Sequence, residues 1–224
     1  MILDGKALAK EILEETRARV SSLTTPPRVL AITVAPGPAT ESYLRIKSVR
    51  AADAGMALIV ERFPESVTEQ TLLERIEQAT EDAIIVQLPL PTGVDVKRVL
   101  DIIPPEKDAD VLGARARDAF TRAEDGALLP PVVAAIARIL SHGHISIQGM
   151  RGAVIGDGWL VGNPVALWLR HQGLEVTQLT RASGDIHTIL QDMDLVVAGA
   201  GQAGLVPSEM VKQGAVLIDA GTSE

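Results

Sequence analysis

Two side chains in the first half of the sequence could transfer protons. Tyr43 and Lys47 are four residues apart in a segment with helical spacing, so they share one face of the predicted helix. Tyr43 is the only tyrosine in the chain. In a dry cleft, desolvation lowers the pKa of a lysine and makes it a usable proton-transfer group. The alternative is an ordinary surface lysine beside a half-buried tyrosine, and the spacing alone leaves both interpretations open.

Gln87 is a third candidate, in the sequence IIVQLPLP of residues 84–91. The first three residues predict a buried strand because they are β-branched with no polar alternation. Pro89 and Pro91 end that strand, since proline has no N–H to give to a sheet. A buried amide without hydrogen-bond partners costs about 1–3 kcal/mol. Gln87 therefore either ties down the following loop or lies at a strand's carboxyl end, where α/β proteins place their chemistry.

Three glycines in the second half predict a nucleotide site. Gly156, Gly158 and Gly162 follow an apolar strand and open a helix, with the spacing G-x-G-x-x-x-G. In that context the N–H groups of the loop and the helix N-terminus would face a pyrophosphate. The spacing is one residue longer than the common dinucleotide fingerprint, and a tight structural turn is the alternative interpretation.

The residues after the next predicted strand bear on the type of cofactor. Enzymes that prefer NAD often have an acidic residue there, which bonds the ribose hydroxyls. This chain has Arg181 between the hydroxyl residues Thr180 and Ser183. A cation with two hydroxyls suits a 2′-phosphate and favours NADP. Asp157 opposes that preference if it points at the same phosphate, so NAD stays open.

The order of predicted elements indicates an α/β protein with two domains. Strands alternate with helices in both halves, which favours parallel sheets. The predicted strands are 28–34, 56–63, 83–88, 152–156, 174–180, 195–201 and 215–219. The predicted helices are 5–20, 39–54 with Thr40 as a possible cap, 68–79, 96–102, 131–140, 164–172, one ending near 191 and one opening at 206–207. We place the domain boundary in the least patterned segment, 114–129. The prediction is an N-terminal α/β catalytic domain over 1–125 and a Rossmann-like, doubly wound parallel-sheet nucleotide-binding domain over 126–224.

Composition excludes several classes of function. The net charge of −8 argues weakly against nucleic acid or an anionic membrane as a partner. The absence of cysteine excludes disulfides and thiolate metal sites and is compatible with a reducing compartment. The four histidines show no spacing that suggests a metal site. No apolar run approaches the ~18 residues of a membrane span, and the first residues do not resemble a signal peptide. We expect a soluble cytoplasmic protein.

The motifs together resemble the bifunctional methylenetetrahydrofolate dehydrogenase/methenyltetrahydrofolate cyclohydrolase family over essentially the whole chain. The most specific match is V-Q-L-P-L-P at residues 86–91. The family's P-A-S-x-x-Y-x-x-x-K resembles residues 38–47, and its K-D-x-D is present at 107–110. Its G-x-S-x-x-V-G-x-P resembles residues 156–164 and accounts for the unusual glycine spacing.

The resemblance implies a role for each site residue. Lys47 is the central catalytic group, which promotes hydrolysis of the methenyl intermediate, and Gln87 hydrogen-bonds and tunes Lys47. Tyr43 stacks on or orients the folate, and Asp110 binds the pterin ring. Hydride passes from the methylene carbon of the folate to a nicotinamide held by the second domain, and the protein is a homodimer. The implied cofactor-binding residues are Gly156, Asp157, Gly158, Val161, Gly162, Thr180, Arg181, Ser183, Gly199 and Gly201.

Several positions depart from the family pattern. Val111 stands where the family has glycine, residues 128–131 read L-L-P-P for P-C-T-P, and residues 157–158 read D-G for R-S. The family also continues past the position of Glu224 with a segment that lines the cleft and a last helix. These departures motivate a second hypothesis, a relative that binds folate or nucleotide with one or both activities lost. A third, an oxidoreductase of the shikimate dehydrogenase type, does not account for residues 86–91.

Overall fold

The computed structural model describes residues 2–199 and 205–221. The chain divides into two compact units, Met1–Leu128 and Leu129–Glu224. The first contains α1 (Gly5–Ser21), β1 (Arg28–Val34), α2 (Pro38–Asp53), β2 (Ala57–Phe63), α3 (Glu69–Glu77), β3 (Ala83–Val86), α4 (Val96–Asp101) and α5 (Ala114–Thr121). The second contains α6 (Pro131–His142), β4 (Arg151–Ile155), α7 (Gly162–His171), β5 (Glu175–Leu179), α8 (Ile186–Leu190), β6 (Leu195–Ala198), a 3₁₀ turn (Ser208–Met210) and β7 (Val216–Asp219).

The first unit is built on a parallel sheet with strand order β2-β1-β3. The middle strand, β1, is buried over its last five residues, as expected for an apolar strand with neighbours on both sides. Alternate residues of β1, Leu30 and Ile32, share one core cluster with Leu72 of α3 and Leu100 of α4. The helices α3 and α4 therefore cover one face of this sheet.

The second unit has a four-stranded parallel sheet with the order β5-β4-β6-β7. Its inner strands β4 and β6 are buried almost throughout, which explains their unbroken apolar sequences. Together with the first unit, this sheet confirms the predicted two-domain α/β class with parallel sheets. No helix within the described ranges is long and apolar enough to cross a membrane.

Three predictions about the helices differ from the structure. Thr40 does not cap α2: the helix begins at Pro38 with Gly37 as its N-cap, because the fixed φ of proline suits the first helical position. The helix predicted from 206–207 is a single 3₁₀ turn. The unpatterned segment contains α5, whose buried residues Ala116 and Phe120 form only one i, i+4 pair.

A charged network that joins α3 to β2 and to the residues before β3 stabilises the first unit. Arg75 donates two hydrogen bonds of 2.7 Å to the Glu61 carboxylate and one of 3.1 Å to Oε1 of Glu81. A guanidinium nitrogen of Arg28 lies 3.7 Å from the same Glu81 oxygen. The Glu81 side chain is only 5% exposed. Despite the opposing effect of burial, hydrogen bonding and the charges of the two arginines hold the pKa of Glu81 below its ordinary value.

We expect Glu81→Gln to lower the free energy of unfolding at neutral pH by about 2–3 kcal/mol, because it removes a buried charge from its arginine partners. A depressed carboxyl pKa contributes stability that is present above the unfolded pKa and is lost as the pH falls through the folded pKa. The variant should therefore lose less stability than the wild type below about pH 4.3, the ordinary pKa of glutamate. Urea titrations at several pH values measure both effects. Glu77→Gln, at an exposed position of α3, is the matched control; equal acid sensitivity of Glu81→Gln and wild type would contradict the role of Glu81.

Candidate functional site

Lys47 and Gln87 meet in the first unit. Nζ of Lys47 donates to Oε1 of Gln87 at 3.2 Å, and both side chains are half-buried. Lys47 is three residues after Leu44 and four before Ala51, the two buried residues of α2, so it lies on the same side of the helix as they do. The position of α2 in the fold therefore brings the Lys47 ammonium to the end of β3.

The backbone of Gln87 is fixed although β3 ends one residue earlier, at Val86. Its N–H donates to the carbonyl oxygen of Ile32 at 2.8 Å, which continues the pairing of β3 with β1. Its side-chain Nε2 lies 3.4 Å from the carbonyl oxygen of Leu88. Gln87 thus lies at the carboxyl end of a strand and both orients Lys47 and contacts the following loop, so the two interpretations from sequence are compatible.

Tyr43 lies one helical turn before Lys47 on α2, with 55% of its surface exposed. An aromatic side chain of this exposure can stack against a planar ring. Its role in orienting the folate stays a prediction.

Asp110 lies on a loop that is anchored to β3. The N–H of Ile84 donates to the carbonyl of Lys107 at 2.7 Å, and the N–H of Ala109 donates to the carbonyl of Ile84 at 3.3 Å. Burial raises the pKa of the Asp110 carboxyl above its ordinary value, and the positive charge of Lys47 partly offsets this effect. The charge of Lys47 thus acts on Asp110, and the pterin-binding role of Asp110 stays a prediction.

Asp108 is the residue of this loop that sequence reasoning missed. Its side chain is almost fully buried at 1% exposure, and its Oδ2 accepts hydrogen bonds from the N–H groups of Leu112 at 2.9 Å and Gly113 at 2.7 Å. Burial and the neighbouring Asp110 charge raise the pKa of Asp108, and the backbone hydrogen bonds oppose the rise. Asp108 closes the loop around Asp110; the only sequence signal was its place in the K-D-x-D motif.

Val111 has an unusual backbone conformation directly after Asp110. Its φ is +55°, in the left-handed region, and its side chain is 2% exposed. This conformation costs a β-branched residue about 1–2 kcal/mol, whereas glycine adopts it without strain. The departure from the family's glycine thus falls at a position that requires a positive φ, and burial of the Val111 side chain offsets part of the cost.

The second unit contains a cavity of about 700 Å³ at the carboxyl ends of its strands. Open parallel sheets bind ligands at this edge. The predicted cofactor residues that border the cavity are Gly156, Asp157, Gly158, Thr180, Arg181 and Gly199. Gly201 lies outside the described residues.

Two glycines allow the close packing around this cavity. A Cβ on Gly162 would lie 2.2 Å from the carbonyl oxygen of Gly156, so only glycine lets the first turn of α7 approach the end of β4. A Cβ on Gly199 would lie 2.6 Å from Cγ1 of Val161. Val161 and Gly162 therefore lie behind the cavity rather than border it. Their close packing places the N-terminus of α7 directly behind the glycine loop that borders the cavity, an arrangement that suits a dinucleotide phosphate.

The hydroxyls predicted to bind a 2′-phosphate fold their own turn. The Oγ of Ser183 accepts from the N–H of Thr180 at 2.9 Å, and Oγ1 of Thr180 accepts from the N–H of Ala182 at 3.2 Å. Ser183 is not among the residues that border the cavity. Its cofactor-binding role stays a prediction, while Arg181 at the turn's apex borders the cavity.

Gln178 is a second residue that sequence reasoning missed. Its Nε2 donates to the carbonyl of Gly156 at 3.1 Å and to Oδ1 of Asn163 at 2.8 Å, which joins β5 to the glycine loop and to α7. A polar residue near the carboxyl end of a strand was the only available signal. Among the described residues, no group of three or more histidine or carboxylate side chains is placed to hold a metal ion.

A lysine–glutamine–aspartate cluster in one α/β unit and a glycine-lined cavity in the other define a two-domain, dinucleotide-dependent enzyme. Comparison with known proteins gives the particular family. Residues 3–110 match the tetrahydrofolate dehydrogenase/cyclohydrolase catalytic domain, and residues 130–224 match the NAD(P)-binding domain of the same family. The chain belongs to the tetrahydrofolate dehydrogenase/cyclohydrolase family, as its motifs predicted.

Curated relatives and solved structures agree with this assignment. The bifunctional protein FolD of Methanospirillum hungatei is 35% identical over 228 residues, which cover 100% of this chain and 81% of the relative. FolD of Cupriavidus necator is 36% identical over 98% of this chain and 80% of its own length. The crystal structure of the Trypanosoma brucei enzyme, in complex with NADP and an inhibitor, superposes with a TM-score of 0.92 at 33% identity and covers 100% of this chain and 79% of that one.

Proposed function

We propose that this protein oxidises 5,10-methylenetetrahydrofolate to 5,10-methenyltetrahydrofolate with NAD(P) and hydrolyses the product to 10-formyltetrahydrofolate. Family membership over both domains supports the pair of activities. The observation within the structure that carries the proposal is the 3.2 Å hydrogen bond between Lys47 and Gln87, with Asp110 close enough to respond to the lysine charge.

In the oxidation, the methylene carbon loses a hydride and becomes the carbon of a cationic methenyl bridge. NADP, when bound, supplies the acceptor for that hydride. Gly156 and Gly158, in the loop before the N-terminus of α7, border the cavity that would hold its phosphates, and Arg181 provides a cation beside the same cavity. An ionised Asp110 binds the polar edge of the pterin and thereby fixes the substrate.

In the hydrolysis, a water oxygen bonds to the cationic methenyl carbon and releases one proton. The resulting hydroxyl then releases its own proton to solvent as the formyl C=O bond forms and the bond from that carbon to N5 breaks. N5 receives a proton, the formyl group remains on N10, and one proton is released overall. Lys47 is the group we assign to this proton transfer, since an amine can accept the proton from water and return it to the leaving nitrogen. Gln87 holds the Lys47 side chain through its amide oxygen, which leaves the other ammonium protons free for the substrate.

Incubation of the protein with 5,10-methylenetetrahydrofolate and either NADP or NAD tests the proposal. We expect the absorbance of the methenyl product to appear and then to decay as the ring is hydrolysed. Absence of turnover with both dinucleotides would contradict the proposal. Calorimetric binding of folate or nucleotide without turnover would instead support a relative that has lost its activities.

The pH dependence of substrate binding tests the role of Asp110. Because its pKa is raised, Asp110 is protonated at a higher pH than an ordinary carboxyl, and KM for the folate should rise as the pH falls through that raised value. Asp110→Asn should raise KM about 10- to 100-fold at neutral pH and remove this acid limb. The control is Asp118→Asn on the exposed side of α5. An unchanged acid limb in Asp110→Asn would contradict the assignment.

We also propose that the protein acts as a homodimer in the cytoplasm and does not bind nucleic acid. Family resemblance supports the dimer, the absence of cysteine suits a reducing compartment, and the net charge of −8 disfavours nucleic acid. Light scattering coupled to gel filtration should give twice the mass of the chain. A monomeric mass at concentrations that support full activity would contradict the dimer.

A further inference from the structure

The cavity of the second unit is bordered by two charges of opposite sign, Asp157 and Arg181. Asp157 is the second residue after β4, and Arg181 is the second residue after β5. These strands are neighbours, and their ends are in register because Ile155 pairs with Leu179 and the N–H of Gly156 donates to the carbonyl of Leu179 at 2.8 Å. The two charges therefore leave the same edge of the sheet at equivalent positions.

Hydrogen bonds fix the backbone on both sides of this charge pair. The turn that carries Arg181 is closed by the N–H of Ser183, which donates to the carbonyl of Thr180 at 3.0 Å, and by the Ser183 hydroxyl. The backbone before Asp157 is held through the carbonyl of Gly156, which accepts from Gln178 at 3.1 Å. The two charged residues thus project from fixed positions.

Both charged side chains are exposed. Many arginines and carboxylates of the described residues form ion pairs. Within residues 2–199 and 205–221, however, neither Asp157 nor Arg181 takes part in an ion pair or a side-chain hydrogen bond, and both border the cavity. Their charges are therefore not neutralised by described protein groups and act on whatever occupies the cavity.

We propose that Asp157 and Arg181 are opposing selectivity determinants for the 2′ position of the adenosine ribose, so that the cavity accepts both NADP and NAD. The proposal rests on the dinucleotide function proposed above. In doubly wound folds, the ribose 2′ position is read beside the end of the second strand, by an acid for a hydroxyl and by arginine for a phosphate. Here Arg181 occupies the end of that strand, and the acid comes from the strand beside it.

The opposition follows from the charge of the ligand. A phosphate monoester carries about −1.5 to −2 at neutral pH, so it is attracted by the Arg181 guanidinium and repelled by the Asp157 carboxylate. A 2′-hydroxyl carries no charge and can donate a hydrogen bond to Asp157. Both charges border the same cavity and both are exposed, so the attraction and the repulsion oppose each other. We expect the affinities for NADP and NAD to lie within about tenfold of each other.

Calorimetric titration of the full chain with NADP and with NAD tests the proposal without turnover. We expect Asp157→Asn to tighten NADP binding about tenfold and Arg181→Gln to weaken it about tenfold, each with less than about a threefold change for NAD. Raising the salt concentration should shrink both effects, because the charges are exposed. Glu175→Gln, an exposed acid at the opposite end of β5, is the matched control and should change neither affinity.

The possible outcomes separate this proposal from the function on which it rests. If Asp157→Asn changed the affinities for NADP and NAD equally, or changed neither, the proposal would be overturned. The dinucleotide-binding function would remain supported in that case, because the wild type would still bind. A wild-type preference above about 100-fold for either dinucleotide would also overturn it, since one charge would then dominate. Failure of the wild type to bind either dinucleotide would overturn both this proposal and the proposed oxidation.

Discussion

Replacing Lys47 by alanine is expected to lower the rate of methenyltetrahydrofolate hydrolysis about 10²- to 10⁴-fold, the range typical of removing a general acid–base group. Lys47 is held by Gln87 at 3.2 Å and is half-buried, so the substitution removes the proton-transfer group without removing a core side chain. The fold should survive the change. The decay of methenyl absorbance measures the hydrolytic rate, and circular dichroism with a urea titration measures the fold.

Two further variants make the Lys47 experiment specific. Lys47→Arg keeps a positive charge but cannot release a proton near neutral pH, so it should remain as slow as the alanine variant if proton transfer is the role. Lys97→Ala removes a largely exposed lysine that pairs with Asp101 on α4, and should leave the rate unchanged. Hydrolysis at the wild-type rate in Lys47→Ala would show that the lysine role is wrong, and recovery in Lys47→Arg would assign it to charge alone.

Gly162→Ala is expected to destabilise the second unit by about 3 kcal/mol or more and to abolish binding of NADP and NAD. The added Cβ would lie 2.2 Å from the carbonyl oxygen and 2.6 Å from the carbonyl carbon of Gly156, and these are backbone atoms that cannot rotate away. Overpacking of this kind costs about 1–3 kcal/mol when side chains can adjust, and more when they cannot. Urea titration and calorimetry measure the two effects.

Gly158→Ala is the matched control for Gly162→Ala. It adds the same methyl group to the same loop, but its Cβ would meet no other heavy atom within 4 Å. Its free energy of unfolding should change by less than about 1 kcal/mol. If the two variants were equally stable and bound dinucleotide equally well, the close approach of α7 to β4 would not be what shapes the cavity.

The inner strands β1, β4 and β6 were predictable from sequence because inner strands of parallel sheets are buried on both faces and appear as largely apolar runs. β1 has the predicted bounds, and β4 differs by one residue at each end. The helix α5 was missed because its buried face consists of only Ala116 and Phe120, which a single i, i+4 pair does not distinguish from a loop. The sequence pattern therefore predicts an element whose residues are buried along its whole length. It does not predict an element in which only two side chains are buried.

The candidate site was predictable only in part. Tyr43 and Lys47 share a helix face by local spacing, but the contact of Lys47 with Gln87 joins residues separated by 40 positions and requires the folded sheet. The family resemblance supplied that pairing. Asp108 and the positive φ of Val111 could not be inferred from residue types, because a buried aspartate and a left-handed valine are both unfavourable by default and are stabilised only by their surroundings.

We expect one chain to carry out both the oxidation and the hydrolysis. The most direct test is to quantify, in one reaction of the full chain with 5,10-methylenetetrahydrofolate and NADP, the reduced dinucleotide and the 10-formyltetrahydrofolate formed. We expect the wild type to form equal amounts of the two products. We expect Lys47→Ala to form reduced dinucleotide but to accumulate methenyltetrahydrofolate in place of the formyl product. Formation of neither product with NADP or NAD would contradict both proposed activities.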